Sequence, residues 1–162
     1  MEYVLTHSYK PAIISYMKAH PDDFEEIINL AVSDKQPYSW RASWSLWSCM
    51  VENDRRIQKC LDEIIEVLPL RGDNQQRELL IILQRMELND HHEGKVFDIC
   101  VNIWKKIRKQ PSLRYNAMKM MVEITKKHPE LSQELKFLME SHYTDSLSVA
   151  ANKSIARMVK GI

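Results

Sequence analysis

Lys35-Gln36-Pro37-Tyr38-Ser39-Trp40-Arg41-Ala42-Ser43-Trp44-Ser45-Leu46-Trp47-Ser48-Cys49-Met50 opens on a proline turn and runs into an apolar stretch at helical spacing. A shortened form returns 74 residues later as Lys109-Gln110-Pro111-Ser112-Leu113-Arg114-Tyr115-Asn116-Ala117-Met118. Two further alignments agree with it. Lys18-x-His20-Pro21-Asp22 and Lys126-x-His128-Pro129-Glu130 lie 108 apart, and Arg41, Arg77 and Arg114 follow one another at 36 and 37. All three give one period in the high thirties, so the chain is built by repetition.

Outward from these landmarks the chain reads as helices. Residues near 9–19 form a leading helix, with Pro11 tolerated in its first turn. His20-Pro21 ends it, because proline disfavours a helical residue before it. Phe24, Ile27, Ile28 and Ala31 make the inner face of the next helix, whose first turn is acidic with Asp22, Asp23, Glu25 and Glu26. The Trp helix covers about 38–52, and a continuous helix with Ile57, Cys60, Leu61, Ile64, Ile65 and Leu68 inward follows it. Asp73 with Gln76, and Asp90 with Glu93, have capping-box spacing. A helix over 74–88, one after Asp90 with Val96, Cys100, Ile103 and Ile107 on its inner face, and one over 112–127 come next; His128-Pro129 begins another with Leu131, Leu135 and Leu138 inward, and Ser146 caps a final helix over 146–160. Glycine occurs only three times and no Asn-Gly or Asp-Gly pair is present, which leaves β-hairpins without support.

A period of this length made of two helices predicts an all-α solenoid. The turn proline, and the Arg followed by Ala or another apolar residue on each second helix, resemble HEAT repeats. The resemblance covers nearly all of residues 1–162, read as a single domain of four helix pairs after a leading helix in a right-handed superhelix. Val149 stands where the fourth Arg would be, as in a terminal cap. The resemblance implies that second helices line a concave face and that such arrays bind protein segments. HEAT-like DNA glycosylases specific for alkylated bases are similar in fold and carry Trp, Asp and Arg in that groove, which makes nucleic-acid binding the alternative.

Composition narrows the function classes. A formal net charge of +1 does not favour a nucleic-acid binder. Three scattered cysteines, Cys49, Cys60 and Cys100, on apolar stripes read as reduced core residues. The first residues lack the pattern of a signal peptide, and no apolar run is long enough to span a bilayer, so a cytoplasmic protein is expected. No phosphate loop, nucleophile elbow or His-Glu-x-x-His helix is present, and no catalytic residue, cofactor or metal site is expected. His91-His92-Glu93 lacks a third ligand, and His20 and His128 read as helix-boundary residues.

The candidates that remain concern binding. Trp40, Trp44 and Trp47 share one stripe, read as packing residues in preference to an aromatic surface for a peptide or a base. Arg41, Arg77 and Arg114 form a ladder, read first as pairing with Asp34, Asp73 or Asp145 and second as a row for an acidic ligand. Residues 95–127 hold nine cations, among them Lys105, Lys106, Lys109 and Lys119, against Asp98 and Glu123, a formal +7. Helix carboxyl ends collect such charge anyway, yet this is where an acidic partner would dock. Arg41, Arg77, Arg114, Lys105, Lys106, Lys109 and Lys119 are therefore the candidate partner-binding residues. The expected behaviour is a scaffold that is monomeric or weakly dimeric, binds a protein or peptide, and has no membrane contact.

Overall fold

The computed structural model describes residues 1–162, with the side chain of Lys10 outside the described set. Among the described residues there are twelve α-helices and no strand. They group into two units, Met1–Leu88 and Asn89–Ile162.

The first unit begins with α1 (Glu2–His7) and α2 (Lys10–Ala19), then pairs α3 (Phe24–Val32) with α4 (Tyr38–Cys49). Next come the short α5 (Arg55–Gln58) and α6 (Leu61–Val67), then α7 (Asp73–Leu83), which packs on α4. In the second unit α8 (Asp90–Lys105) pairs with α9 (Pro111–Lys127). The helices α10 (Ser132–Phe137), α11 (Ser141–Thr144) and α12 (Val149–Val159) follow, and α12 packs on α9. Within each unit, then, a second helix lies against the next second helix, as a helix-pair repeat requires.

The repeat is visible in the backbone itself. His20 ends α2 at φ −126, ψ 68, and His128 ends α9 at φ −123, ψ 75. Each is followed by a single tight turn, Pro21–Asp23 or Pro129–Leu131, and then by a helix. Both histidines are helix-boundary residues, as their place before proline predicts. The two Lys-Gln-Pro turns differ in detail. Pro37 precedes α4 after a cis peptide bond, whereas Pro111 is the first residue of α9.

Burial on α4 explains its unusual composition. Ser39, Ala42, Ser43 and Leu46 recur at helical spacing and are all buried. The small residues let α3 and α7 come close, and Ser43 Oγ bonds the carbonyls of Ala31 (3.1 Å) and Ser39 (2.9 Å). In α8 and α9 the core is larger: Val96, Cys100, Trp104, Leu113, Ala117 and Met121 are fully buried. Burying a leucine-sized side chain contributes about 1.5–3 kcal/mol, so these stripes supply most of the drive to pack.

Several boundaries differ from the sequence reading. The helix expected after Asn53 is broken at Lys59–Cys60, where Cys60 N–H bonds the Ile57 carbonyl in a tightened turn. Ile57 and Leu61 both stay buried across the break, while Cys60 and Cys49 are only half-buried. The expected capping boxes are shifted by one residue. Gly72, not Asp73, precedes α7; Asn89 caps α8 by accepting from His92 N–H at 2.9 Å. Ser148, not Ser146, caps α12, and Ser146 Oγ accepts from Arg114 instead.

Helix carboxyl ends account for Arg41 and Arg114 of the arginine ladder, whereas Arg77 pairs with the Glu78 carboxylate. The last carbonyls of a helix lack intrahelical partners, and a glycine at positive φ commonly closes them. Here no glycine has positive φ. Side-chain donors do the work instead. Arg41 donates to the carbonyls of Leu5 and Ser8 at the end of α1. Gln75 and Arg71 serve Ala31, Ser33 and Val32 at the end of α3, and Arg85 serves Trp47 and Met50 at the end of α4. Trp104 Nε1 donates to Leu138 O at 2.7 Å. Arg114 donates to Trp104 O at 3.1 Å, to Ser146 Oγ at 2.8 Å and to Tyr143 O. Pairing of Arg41 and Arg114 with turn carboxylates is thus replaced by bonds to backbone carbonyls and one hydroxyl.

Arg114 is 1% exposed and sits 4.6 Å from the centre of the Trp104 ring. Burial lowers its pKa, and the carbonyl ends of α8 and α11 offset the cost of a guanidinium without a carboxylate. Replacing Arg114 with Ala leaves two carbonyls without a donor. It is expected to lower unfolding free energy by about 3 kcal/mol, read from urea denaturation, and Arg114→Lys should recover little because a single ammonium cannot span the three acceptors.

Candidate functional site

Two surfaces and one buried cluster draw on the residues singled out by sequence. The first lies where α4 meets α7. Trp40, Trp44 and Trp47 are each half-buried, so the stripe is neither core nor free surface. Trp47 Nε1 donates to Glu78 Oε2 at 2.6 Å, and Arg77 Nε donates to Glu78 Oε1 at 2.9 Å. Glu78 is 1% exposed. Its carboxylate therefore fixes an indole from one helix and a guanidinium from the next. Trp40 Nε1 has no hydrogen-bond partner.

The second surface is the turn joining α8 to α9. Lys105, Lys106 and Arg108 are exposed and form no ion pair among the described residues. Ile107, expected on the inner face of α8, lies beyond the helix end at Lys105 and is 49% exposed. Lys109 is half-buried, and its N–H closes the turn on the Lys106 carbonyl at 2.9 Å. Beneath the turn, buried Trp104 and Arg114 are bonded to each other through Trp104 O. The turn is therefore held on a stiff base.

The antiparallel pair splits the basic run in two. Lys105, Lys106, Arg108 and Lys109 cluster at one end, whereas Lys126 and Lys127 lie at the other end of α9, roughly 25 Å away for a helix of 17 residues. Lys119 is exposed midway along α9, about 12 Å from its start. Arg41 and Arg77 are half-buried and Arg114 is buried, so Lys105, Lys106 and Lys119 are the candidates that present their charge fully to solvent. By unit, the first carries ten Lys and Arg against fourteen Asp and Glu, and the second thirteen against eight. The charges are a formal −4 and +5.

The cluster at the far end of the α8–α9 pair was not apparent from sequence. Glu93, 3% exposed, accepts from Lys127 Nζ at 2.5 Å and from His128 Nε2 at 2.7 Å. Glu130 lies 3.7 Å from His128 Nδ1, and the donor atoms of Asp90, Glu93 and His128 fall within 4.8 Å of one another. Both Glu93 oxygens are engaged, so the group is an ion-pair network that ties the start of α8 to the end of α9. The readable signal was Glu93 itself, a carboxylate three residues before Val96 on the buried stripe of α8. Burial pushes its pKa up, but the bonds from Lys127 and His128 outweigh that and hold it below the ordinary value. The Glu93 bond raises the pKa of His128.

The family model described as HEAT repeat domain matches residues 5–162. It runs through both units. Among curated proteins and among solved structures, nothing matches the chain. No helix among the described residues is long and apolar enough to cross a membrane.

The ion-pair network makes stability depend on pH. With its folded pKa raised above 6.5, His128 contributes stability that is complete below about pH 6.5 and is lost as pH rises through the folded value. Glu93, with its pKa lowered, contributes above its ordinary value near 4.5 and loses that on acidification. The urea midpoint is expected to fall as pH is raised from 6.5, and His128→Gln should flatten that decline.

Proposed function

This chain belongs to the HEAT repeat domain family, and on that premise we propose that it is a non-catalytic protein-interaction module. Its second helices hold a partner segment. The observation that carries this reading is the half-buried Trp40, Trp44 and Trp47 edge beside Arg77, with Glu78 bonded to both Trp47 and Arg77. Tryptophan and arginine supply much of the binding energy at protein interfaces, and they do so best when held in place before the partner arrives.

The test is quantitative affinity purification with the wild-type chain and with Trp44→Ala, followed by calorimetry on any partner captured by the first and lost by the second. A loss of about thirtyfold in affinity is expected if Trp44 is a central contact. Because Trp44 also packs, Trp44→Phe and a thermal melt accompany it. Partners that bind wild type and both variants equally would overturn the reading.

A second reading, nucleic-acid binding, is favoured by one observation: the unpaired exposed Lys105, Lys106 and Arg108 on a unit of formal charge +5. Fluorescence anisotropy of a labelled duplex separates the two. Binding that weakens steeply between low and high salt, and that Lys105→Ala with Lys106→Ala abolishes, supports this second reading. Absence of binding at low salt removes it and leaves the turn as a protein-docking feature.

A further inference from the structure

The first unit contains an open cavity of about 290 Å³ on the side of its first helices. Its floor is Phe24 and Ile28, buried to 4% and 3% exposure. One wall is acidic, with Asp22 and Glu25 from the Pro21–Asp23 turn and α3. Arg56 from α5 and Lys59 from the turn after it add basic groups to the lining. All four charged residues are exposed. Yet Asp22, Glu25 and Lys59 form no ion pair among the described residues.

Arg56 is fixed in place. Its Nε and Nη2 bond Asp54 at 2.9 and 2.6 Å, and its guanidinium carbon lies 3.3 Å from the centre of the Phe24 ring. Nη1 is not used by Asp54. The broken helix matters here, because the turn at Lys59–Cys60 is what brings Lys59 and Cys60 to the cavity. Burial, and after it the nearby Glu63 and Glu25, raise the pKa of Cys60, so its thiol stays neutral and acts as part of the apolar lining.

We infer that this cavity is a binding site for a small zwitterion, a free amino acid with an apolar side chain. The ammonium group meets Asp22 and Glu25, the carboxylate meets Lys59 and Arg56 Nη1, and the side chain lies against Ile28 and Cys60, beside the Phe24 ring that Arg56 covers. Both ends of the ligand must be charged, since the lining supplies both signs. A molecule of leucine's size suits the volume, which lies at the lower end of small-molecule sites. This site is separate from the second-helix surface proposed above and does not depend on it.

Leucine, N-acetyl-leucine and leucinamide provide the test, titrated by calorimetry and followed by amide chemical shifts. Leucine is expected to bind, and capping either end should weaken it by about tenfold or more, as for one lost charge-assisted hydrogen bond. Shifts should centre on Phe24, Ile28 and Cys60. Because Lys59 and Glu25 are exposed, Lys59→Ala and Glu25→Ala should leave the fold intact. Lys59→Ala should narrow the difference between leucine and leucinamide, with Arg56 keeping the remainder, and Glu25→Ala should weaken leucine but not N-acetyl-leucine. No saturable signal at millimolar leucine, equal binding of all three compounds, or shifts centred elsewhere would overturn the inference.

Discussion

The constraint on which the rest depends is the unfinished carboxyl end of each helix. A repeat of short helices has many such ends, and every end presents carbonyls that burial would leave unbonded. Glycine at positive φ is the usual remedy, and none of this chain's glycines adopts it. Arg41, Arg71, Gln75, Arg85, Trp104 and Arg114 take that part instead, each reaching from a different helix or turn. A single such bond contributes modestly, but losing one inside the protein exposes the cost of an unpaired carbonyl. The polar interior is therefore structural first. That explains how an arginine can be fully buried in a protein with a hydrophobic core of ordinary size.

This use of cations bears on what the surfaces can offer. Guanidinium groups that hold helix ends are not available to a ligand, so Arg41 and Arg114 say more about repeat joining than about recognition, whereas Arg77 is held by the Glu78 carboxylate beside the Trp edge. What remains for recognition is what the scaffold leaves uncommitted. In the first unit that is a half-buried aromatic edge and a cavity lined by charges of both signs. In the second it is a rigid basic turn with an exposed Ile107.

The period, the all-helical class and the family resemblance were legible in sequence because their signals are local. Proline before a helix, histidine before proline and apolar spacing each act within a few residues. The two His-Pro junctions, 108 residues apart, adopt nearly the same backbone angles. Partners were not legible. Arg114 had been matched with carboxylates, but its acceptors are mostly backbone carbonyls, which every residue carries and no sequence marks. The break at Lys59–Cys60 was hidden because Ile57 and Leu61 preserve the apolar pattern across it. The basic run looked like one patch because distance along an antiparallel hairpin is not distance in space. Glu93 left a trace, as a charge on an inner stripe, that can be read only once its partners across the pair are known.

The direction of the clasping bonds differs between the units. In the first, Arg41, Arg71, Gln75 and Arg85 bond carbonyls that precede them by 33 to 44 residues. In the second, Trp104 and Arg114 bond groups that follow them by 29 to 34 residues. A chain made on the ribosome from its amino terminus meets these two arrangements in sequence. Each clasp of the first unit can close as soon as its donor emerges, since the acceptor is already outside. The second unit waits: Arg114 can reach Trp104 O at once, but its bonds to Tyr143 and Ser146, and that of Trp104 to Leu138, cannot form until residues 138–146 have left the exit tunnel.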